Sequence, residues 1–171
     1  GLGSLILFTS INNFLGGVYM ALMDAYGLTL VSVQVWGILW GFISIAFILG
    51  GLLIAKKGLG KNPLKSLFIA NIIIWSVSIF FTTLPSIVLL SIGVFIYLLL
   101  VPYIEASENT IIQKVVTHER QGRVFGIAQS IEQAASPLTS FLIGPIAHFF
   151  FIPFMTDGQG AKWIGDWYGT G

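Results

Sequence analysis

"SIVLLSIGVFIYLLLVPYIEASENTII", residues 86–112, runs for nineteen residues without a charge and then places Glu105 and Glu108 three apart. As a helix, that uncharged run covers about 28 Å, close to the ~30 Å hydrocarbon core of a bilayer. A strand reading fails because the apolar positions are continuous rather than alternating, and a membrane admits only helices or closed barrels. The run predicts a transmembrane helix. Its two carboxylates then need a reason to be there.

Four more runs of the same kind accompany it, so the predicted spans are 2–23, 33–55, 64–83, 86–112 and 124–151, followed by an external tail at 152–171. The last two exceed what a bilayer needs, which implies tilt or extension into the headgroups. The expected fold is an all-α membrane protein with five transmembrane helices. Composition agrees: 56% of the residues are hydrophobic and 9% charged, against about 25% charged in a soluble domain. With no cysteine there is neither a disulfide nor a thiolate metal site, and a net charge of +1 argues against a nucleic-acid partner. The chain starts at Gly1 and ends on "WYGTG", so an excerpt of a longer protein is expected.

The connections alternate in charge. "KKGLGKNPLK" holds Lys56, Lys57, Lys61 and Lys65, and "KVVTHERQGR" holds Lys114, Arg120 and Arg123, which together are seven of the 8 basic residues. "DAYGLTLVSVQ" and "TLPS" contain none. The positive-inside rule makes the two basic loops cytoplasmic. The tail then lies outside, with Trp163, Trp167 and Tyr168 placed as an interfacial aromatic belt.

Polar residues within the spans recur at helical spacing. The first span carries Thr9, Asn12, Asn13, Gly16, Met20 and Asp24 on a shared face; the fourth carries Glu105, Glu108 and Asn109; the fifth carries Gln129, Glu132, Gln133, Ser136 and Ser140. The second offers Gln34, Ser44 and a GxxxG step at Gly37 and Gly41, whereas the third has only Asn71, Ser76 and Ser78. Spans one, two, four and five are expected to face protein or water, and span three lipid.

Glu105 lies nine residues from Lys114, and Glu132 nine residues from Arg123. Both therefore sit about 13 Å inside the basic edge, on antiparallel neighbours. A charge at that depth costs about 2.5–3.5 kcal/mol even on the lenient insertion scale, and such groups mark a substrate pathway, an ion site or a proton relay. The bland readings are a structural Glu132 bonded to a neighbouring Gln or Asn, and Asn12 and Asn13 as interhelical glue at about 0.6 kcal/mol each. Glu108, about 9 Å from the edge, is expected to pair with Lys114 or Arg120. His118 and His148 say little.

Backbone breaks fall beside these acids. Pro102 precedes Glu105, Pro137 and Pro145 flank Ser140, and Gly144 precedes Pro145. An internal proline removes a hydrogen bond and bends a helix, which transporters use where helices line a cavity. Spans four and five are expected to bend here, and Gly144 to allow close helix approach.

Three passages bring a family into view. "GGLLIAKKGLGKNPLKSL" resembles the short basic loop G-x-x-x-D-R-x-G-R-R of the major facilitator superfamily: Gly51, Lys56 and Gly58 match, while Ala55 replaces the acid and Leu59 a basic residue. "THERQGRVFGIAQSIEQAASPL" is similar to the loop and helix of drug-efflux members, especially macrolide efflux permeases and enterobactin-exporter-like proteins. "FLIGPIAHFF" is similar to the glycine–proline element of antiporters, whose proper place is the other half. The resemblance covers the chain to about Phe154 and implies helices seven to eleven of twelve, part of a six-helix half-bundle. It implies that helices seven, eight, ten and eleven line a central cavity and that nine lies outside.

With the resemblance, the expected function is proton-coupled export of amphipathic drugs such as macrolides across a bacterial cytoplasmic membrane. Glu105, Glu132, Gln129, Gln133, Asn12 and Asn13 form the expected coupling or substrate cavity, and Lys56, Lys57, Lys61, Arg120 and Arg123 the cytoplasmic gating loops. A carboxylate shielded from water exchanges its proton nearer neutral pH than a solvated one, so drug and proton can compete for it. Phe14, Met20, Tyr97 and Tyr103 are expected to give loose apolar contacts suited to varied ligands. The expected partners are the lipid bilayer, a missing N-terminal half, a small-molecule substrate and protons. Two alternatives stand: a siderophore or metabolite exporter of the same architecture, and a non-transporting scaffold. An enzyme is not expected, because no nucleophile–base pair, metal-ligand cluster or phosphate-binding loop is legible. No cofactor is expected.

Overall fold

The apolar runs become helices in a computed structural model of the chain, which describes residues 1–81 and 83–168. In order they are α1 (Leu2–Leu30), α2 (Val33–Ile43), α3 (Ile45–Lys57), α4 (Pro63–Phe81), α5 (Ile87–Val115) and α6 (His118–Ile146). A π-helical stretch (Ala147–Phe151), α7 (Ile152–Thr156) and α8 (Gln159–Tyr168) follow. Among the described residues there is no strand. Among those residues five stretches are long and apolar enough to cross a membrane: Leu2–Leu30, Val33–Lys57, Pro63–Phe81, Ile87–Val115 and His118–Thr156. The all-α membrane reading holds.

Boundaries differ from expectation where local chemistry allows. α1 continues to Leu30 rather than stopping at residue 23. The one weak helix former there, Gly27, is kept because the Trp36 ring fills its side-chain space; a Cβ would lie 2.6 Å from that ring. The second span is interrupted at Ser44. Its N–H donates to the Trp40 carbonyl at 2.9 Å, and its carbonyl accepts from the Phe47 N–H at 3.1 Å, three residues on. That is a tight turn between α2 and α3.

Caps mark the other ends. The Asn62 side chain accepts the Lys65 N–H at 3.2 Å, and Pro63 starts α4 where its missing N–H costs nothing. The Ser86 hydroxyl accepts the Leu89 N–H at 3.4 Å and opens α5. Gly58 ends α3 with φ of 68° and Gly60 follows at 77°, the left-handed region that a side chain disfavours. The expected bends at Pro102 and Pro137 do not interrupt the helices, since α5 and α6 run through them. Beyond Pro145 the hydrogen-bond register widens to the π stretch at Ala147–Phe151. The tail at 152–171 is helical in α7 and α8 rather than irregular. Trp163 is exposed; the side chains of Trp167 and Tyr168, and residues 169–171, lie outside the described residues.

The chain divides into two compact units, one of Gly1–Tyr26 with Gly126 onward, the other Gly27–Phe125. In the second unit α4 packs along α5 and α3 packs on α5's other flank. Leu67, Ile74, Phe81, Leu90, Val94 and Ile112 fill its core. Glycines admit the close approaches: Gly93 lies under the Phe81 ring, and Gly50 faces the Leu99 carbonyl and the Pro102 ring. Pro102 is thus a buried packing surface. The outer face of α4 shows Phe68, Ile69, Ile72, Ile79 and Phe80, apolar side chains that suit acyl chains. Its buried Asn71 donates to the Leu67 carbonyl of its own helix at 2.9 Å. The first unit pairs α1 with α6.

Candidate functional site

Two stripes build the α1–α6 seam. On α6 the buried residues Ala128, Glu132, Thr139 and Ile143 follow steps of four, seven and four residues, the spacing of one helix face. On α1 the matching side buries Leu5, Thr9, Gly17 and Met23. Thr9 is 2% exposed and Glu132 8% exposed, and the Thr9 hydroxyl donates to Glu132 Oε1 at 2.8 Å. Farther along, the Ser140 hydroxyl donates to the Gly17 carbonyl at 3.2 Å. Thr9 to Gly17 and Glu132 to Ser140 are both eight-residue steps taken in the same chain direction, so within this unit α1 and α6 run parallel.

Gly17 sets the spacing. A Cβ there would lie 2.6 Å from the Ser136 carbonyl oxygen and 2.9 Å from Ser136 Cα, both backbone atoms. Only glycine lets the two helices come this near. In lipid, where burial of apolar surface gives no drive to associate, such close packing and interhelical hydrogen bonds hold helices together.

The α6 polar stripe therefore splits. Glu132 turns into the seam, while Gln129 and Gln133 are exposed. At 100° per residue they stand about 60° and 100° from Glu132, on either side of it around the helix. Asn12 and Asn13 are half-buried on α1. The partner of Glu132 is thus a hydroxyl, Thr9, rather than the Gln or Asn expected of a structural acid.

The two acids of α5 differ in burial. Glu105 is exposed on its unit, whereas Glu108 is 8% exposed on the face that also buries Ser107 and Ile112. Lys114 and Arg120, expected beside Glu108, are both exposed. Depth counting placed Glu108 near the edge but could not see which way α5 turns. Glu105 and Glu132 belong to different units.

The remaining expected residues fall as follows. Lys56, Lys57, Lys61, Arg120 and Arg123 are all exposed at helix ends and loops. Lys56 and Lys57 occupy the last turn of α3, where a cation complements the carbonyl end of the helix. The α5–α6 turn is tied by Gln121, whose side-chain N–H donates to the carbonyls of Gln113 and Val116 at 3.1 Å each. Gly144 and the Gly37/Gly41 step have open space around them rather than a packed helix; Gly17, Gly27, Gly50 and Gly93 do the packing instead. Tyr97 and Tyr103 are half-buried, and Phe14 and Met20 exposed. Among the described residues no group of His, Cys, Asp and Glu could hold a metal.

Five stretches of membrane length among the described residues mark a polytopic membrane protein. The chain belongs to the major facilitator superfamily, whose family model matches residues 2–140, from the start of α1 to within α6. That is a transporter family and not an enzymatic one. No curated protein and no solved structure matches the chain.

Proposed function

We infer that this transporter is a proton-coupled exporter of cationic or neutral amphipathic drugs, such as macrolides, in a bacterial cytoplasmic membrane. Glu132 is its coupling group. The supporting observation is the burial of Glu132 between α1 and α6 with one hydrogen bond, to the Thr9 hydroxyl at 2.8 Å. A proton and a cationic drug would each neutralise that one carboxylate. Competition between the two lets inward proton flow drive drug outward. The acids and amides at depth, Glu105, Glu132, Asn12 and Asn13, favour such cargo over an anionic siderophore.

Glu132→Gln keeps the shape and removes the titrating proton. In vesicles holding the intact protein, that variant is expected to lose proton-driven drug accumulation while retaining drug binding. A variant that still builds a proton-dependent gradient excludes Glu132 as the coupling group.

A further inference from the structure

The Thr9 hydroxyl has one proton and three oxygens within reach. They are Glu132 Oε1 at 2.8 Å, the Leu5 carbonyl at 3.0 Å and the Ile6 carbonyl at 3.1 Å. A hydroxyl donates once and accepts twice, so it cannot donate to all three together. Which oxygen receives the proton depends on whether Glu132 itself holds one. An ionised carboxylate only accepts, whereas a protonated carboxyl also donates.

We propose that Thr9 is the positioning residue of Glu132, its single hydroxyl proton passing between the Glu132 carboxylate and the α1 carbonyls of Leu5 and Ile6 as Glu132 loses and gains its own. With Glu132 ionised, Thr9 O–H donates across the seam to Oε1. With Glu132 protonated, the carboxyl O–H donates to Thr9 Oγ, and the Thr9 proton turns back to its own helix. One proton enters or leaves by way of Glu132 and no other bond forms or breaks. The α1–α6 link persists in both states with its direction reversed, so the carboxyl stays aimed at one place throughout.

Surroundings favour this over a fixed structural tie. Thr9 and Glu132 are both buried, so water does not take the place of either partner. Along α6 the nearest charged side chain is Arg123, nine residues from Glu132 and already in the second unit, and along α1 it is Asp24, fifteen residues from Thr9. By helical rise these lie about 13 Å and about 22 Å along their axes. His118, Glu119, Arg120 and His148 on or beyond α6, and Tyr19 and Tyr26 on α1, are farther from the pair than one helical turn. The hydroxyl is thus the group that answers the charge of Glu132 inside this seam. The proposal rests on Glu132 changing its protonation, as the proposed function requires.

The test is isotope-edited infrared spectroscopy of the intact protein in liposomes, with a carbon-13 carbonyl at Leu5 or Ile6. A hydrogen bond weakens a C=O bond and lowers its stretching frequency. On acidification a protonated-carboxyl band, absent in Glu132→Gln, is expected to rise, and a labelled carbonyl to move to lower frequency in step with it. Thr9→Val keeps the shape without the hydroxyl and is expected to abolish the carbonyl shift; Thr9→Ser is expected to restore it. A Glu132 band that rises while both labels stay still overturns the role of Thr9 and leaves Glu132 as a titrating group. A label shift that survives in Thr9→Val overturns it equally. If no Glu132 band appears, both readings fall. A gradient that persists in Glu132→Gln removes the coupling role alone, because the spectroscopic signature does not depend on transport.

Discussion

Gly17→Ala tests the seam most directly. Its new Cβ would stand 2.6 Å from the Ser136 carbonyl oxygen, whereas ordinary contact begins at 3.4 Å. The obstacle is backbone, so a side-chain rotation gives no relief, and the helices must part locally by the difference, 3.4 − 2.6 = 0.8 Å. Added to the 3.2 Å between Ser140 Oγ and the Gly17 carbonyl, that opening gives about 4.0 Å and ends the hydrogen bond. Overpacking costs about 1–3 kcal/mol and an interhelical hydrogen bond about 0.6 kcal/mol. Against this, alanine in a helix gains about 0.5–1 kcal/mol over glycine. A net loss of about 1–3 kcal/mol is expected for the intact protein, read from reversible unfolding in mixed micelles. Gly37→Ala is the control: nothing lies within 4 Å of its Cβ position, so it should be neutral or gain up to about 1 kcal/mol. Equal behaviour of the two variants would refute the claim that Gly17 sets the α1–α6 distance.

The second unit offers parallel cases. Gly50→Ala places a Cβ against the Leu99 carbonyl, and Gly93→Ala places one in the Phe81 ring; each is expected to cost about 1–3 kcal/mol in the same unfolding assay, with Gly51→Ala, which meets open space, unaffected by clash. Gln121→Ala removes two hydrogen bonds that close the α5–α6 turn. Hydrogen exchange is expected to quicken around Val116 and Thr117, with global stability falling by about 1 kcal/mol; unchanged exchange there would show that the turn does not depend on Gln121.

The fold was legible because bilayer thickness leaves few options. Continuous apolar runs of membrane length can only become helices, and the five spans emerged with their order intact. What the apolar pattern could not show was the ending of α1, since "DAYGLTL" is polar enough for a loop yet holds no proline. Nor could it show Ser44 dividing the second span. Of the site, the polar stripes through Thr9 on the first helix and through Glu132 on the fifth were legible, but not which residues of each stripe turn inward. Facing was another matter. A stripe drawn through Gln129, Glu132 and Gln133 spans about 160° of the helix surface, too wide for one environment. The equal eight-residue steps, Thr9 to Gly17 and Glu132 to Ser140, are the signal in the sequence that pairs the correct faces. Gly37 and Gly41 had the familiar small-residue spacing, but spacing identifies a smooth surface, not the helix that covers it.

The seam joins two quantities that are separate in most proteins, helix spacing and the charge state of an acid. A hydroxyl-to-carboxylate bond runs from about 2.5 to about 3.0 Å with its optimum at about 2.7–2.8 Å, and the Thr9–Glu132 bond is 2.8 Å. An opening comparable to the 0.8 Å demanded at Gly17 (3.4 − 2.6 Å) would remove the hydroxyl from the carboxylate if the helices moved apart as rigid rods. The polar link would then be lost in a place with no water to replace it, which for a buried charged group is severe. Under the proposed coupling role this link is reciprocal: a change in the protonation of Glu132 would change the force holding α1 to α6, and parting those helices would change the hold on the proton. Gly17 and Thr9, eight residues apart on one face, are therefore the mechanical and the chemical ends of one device.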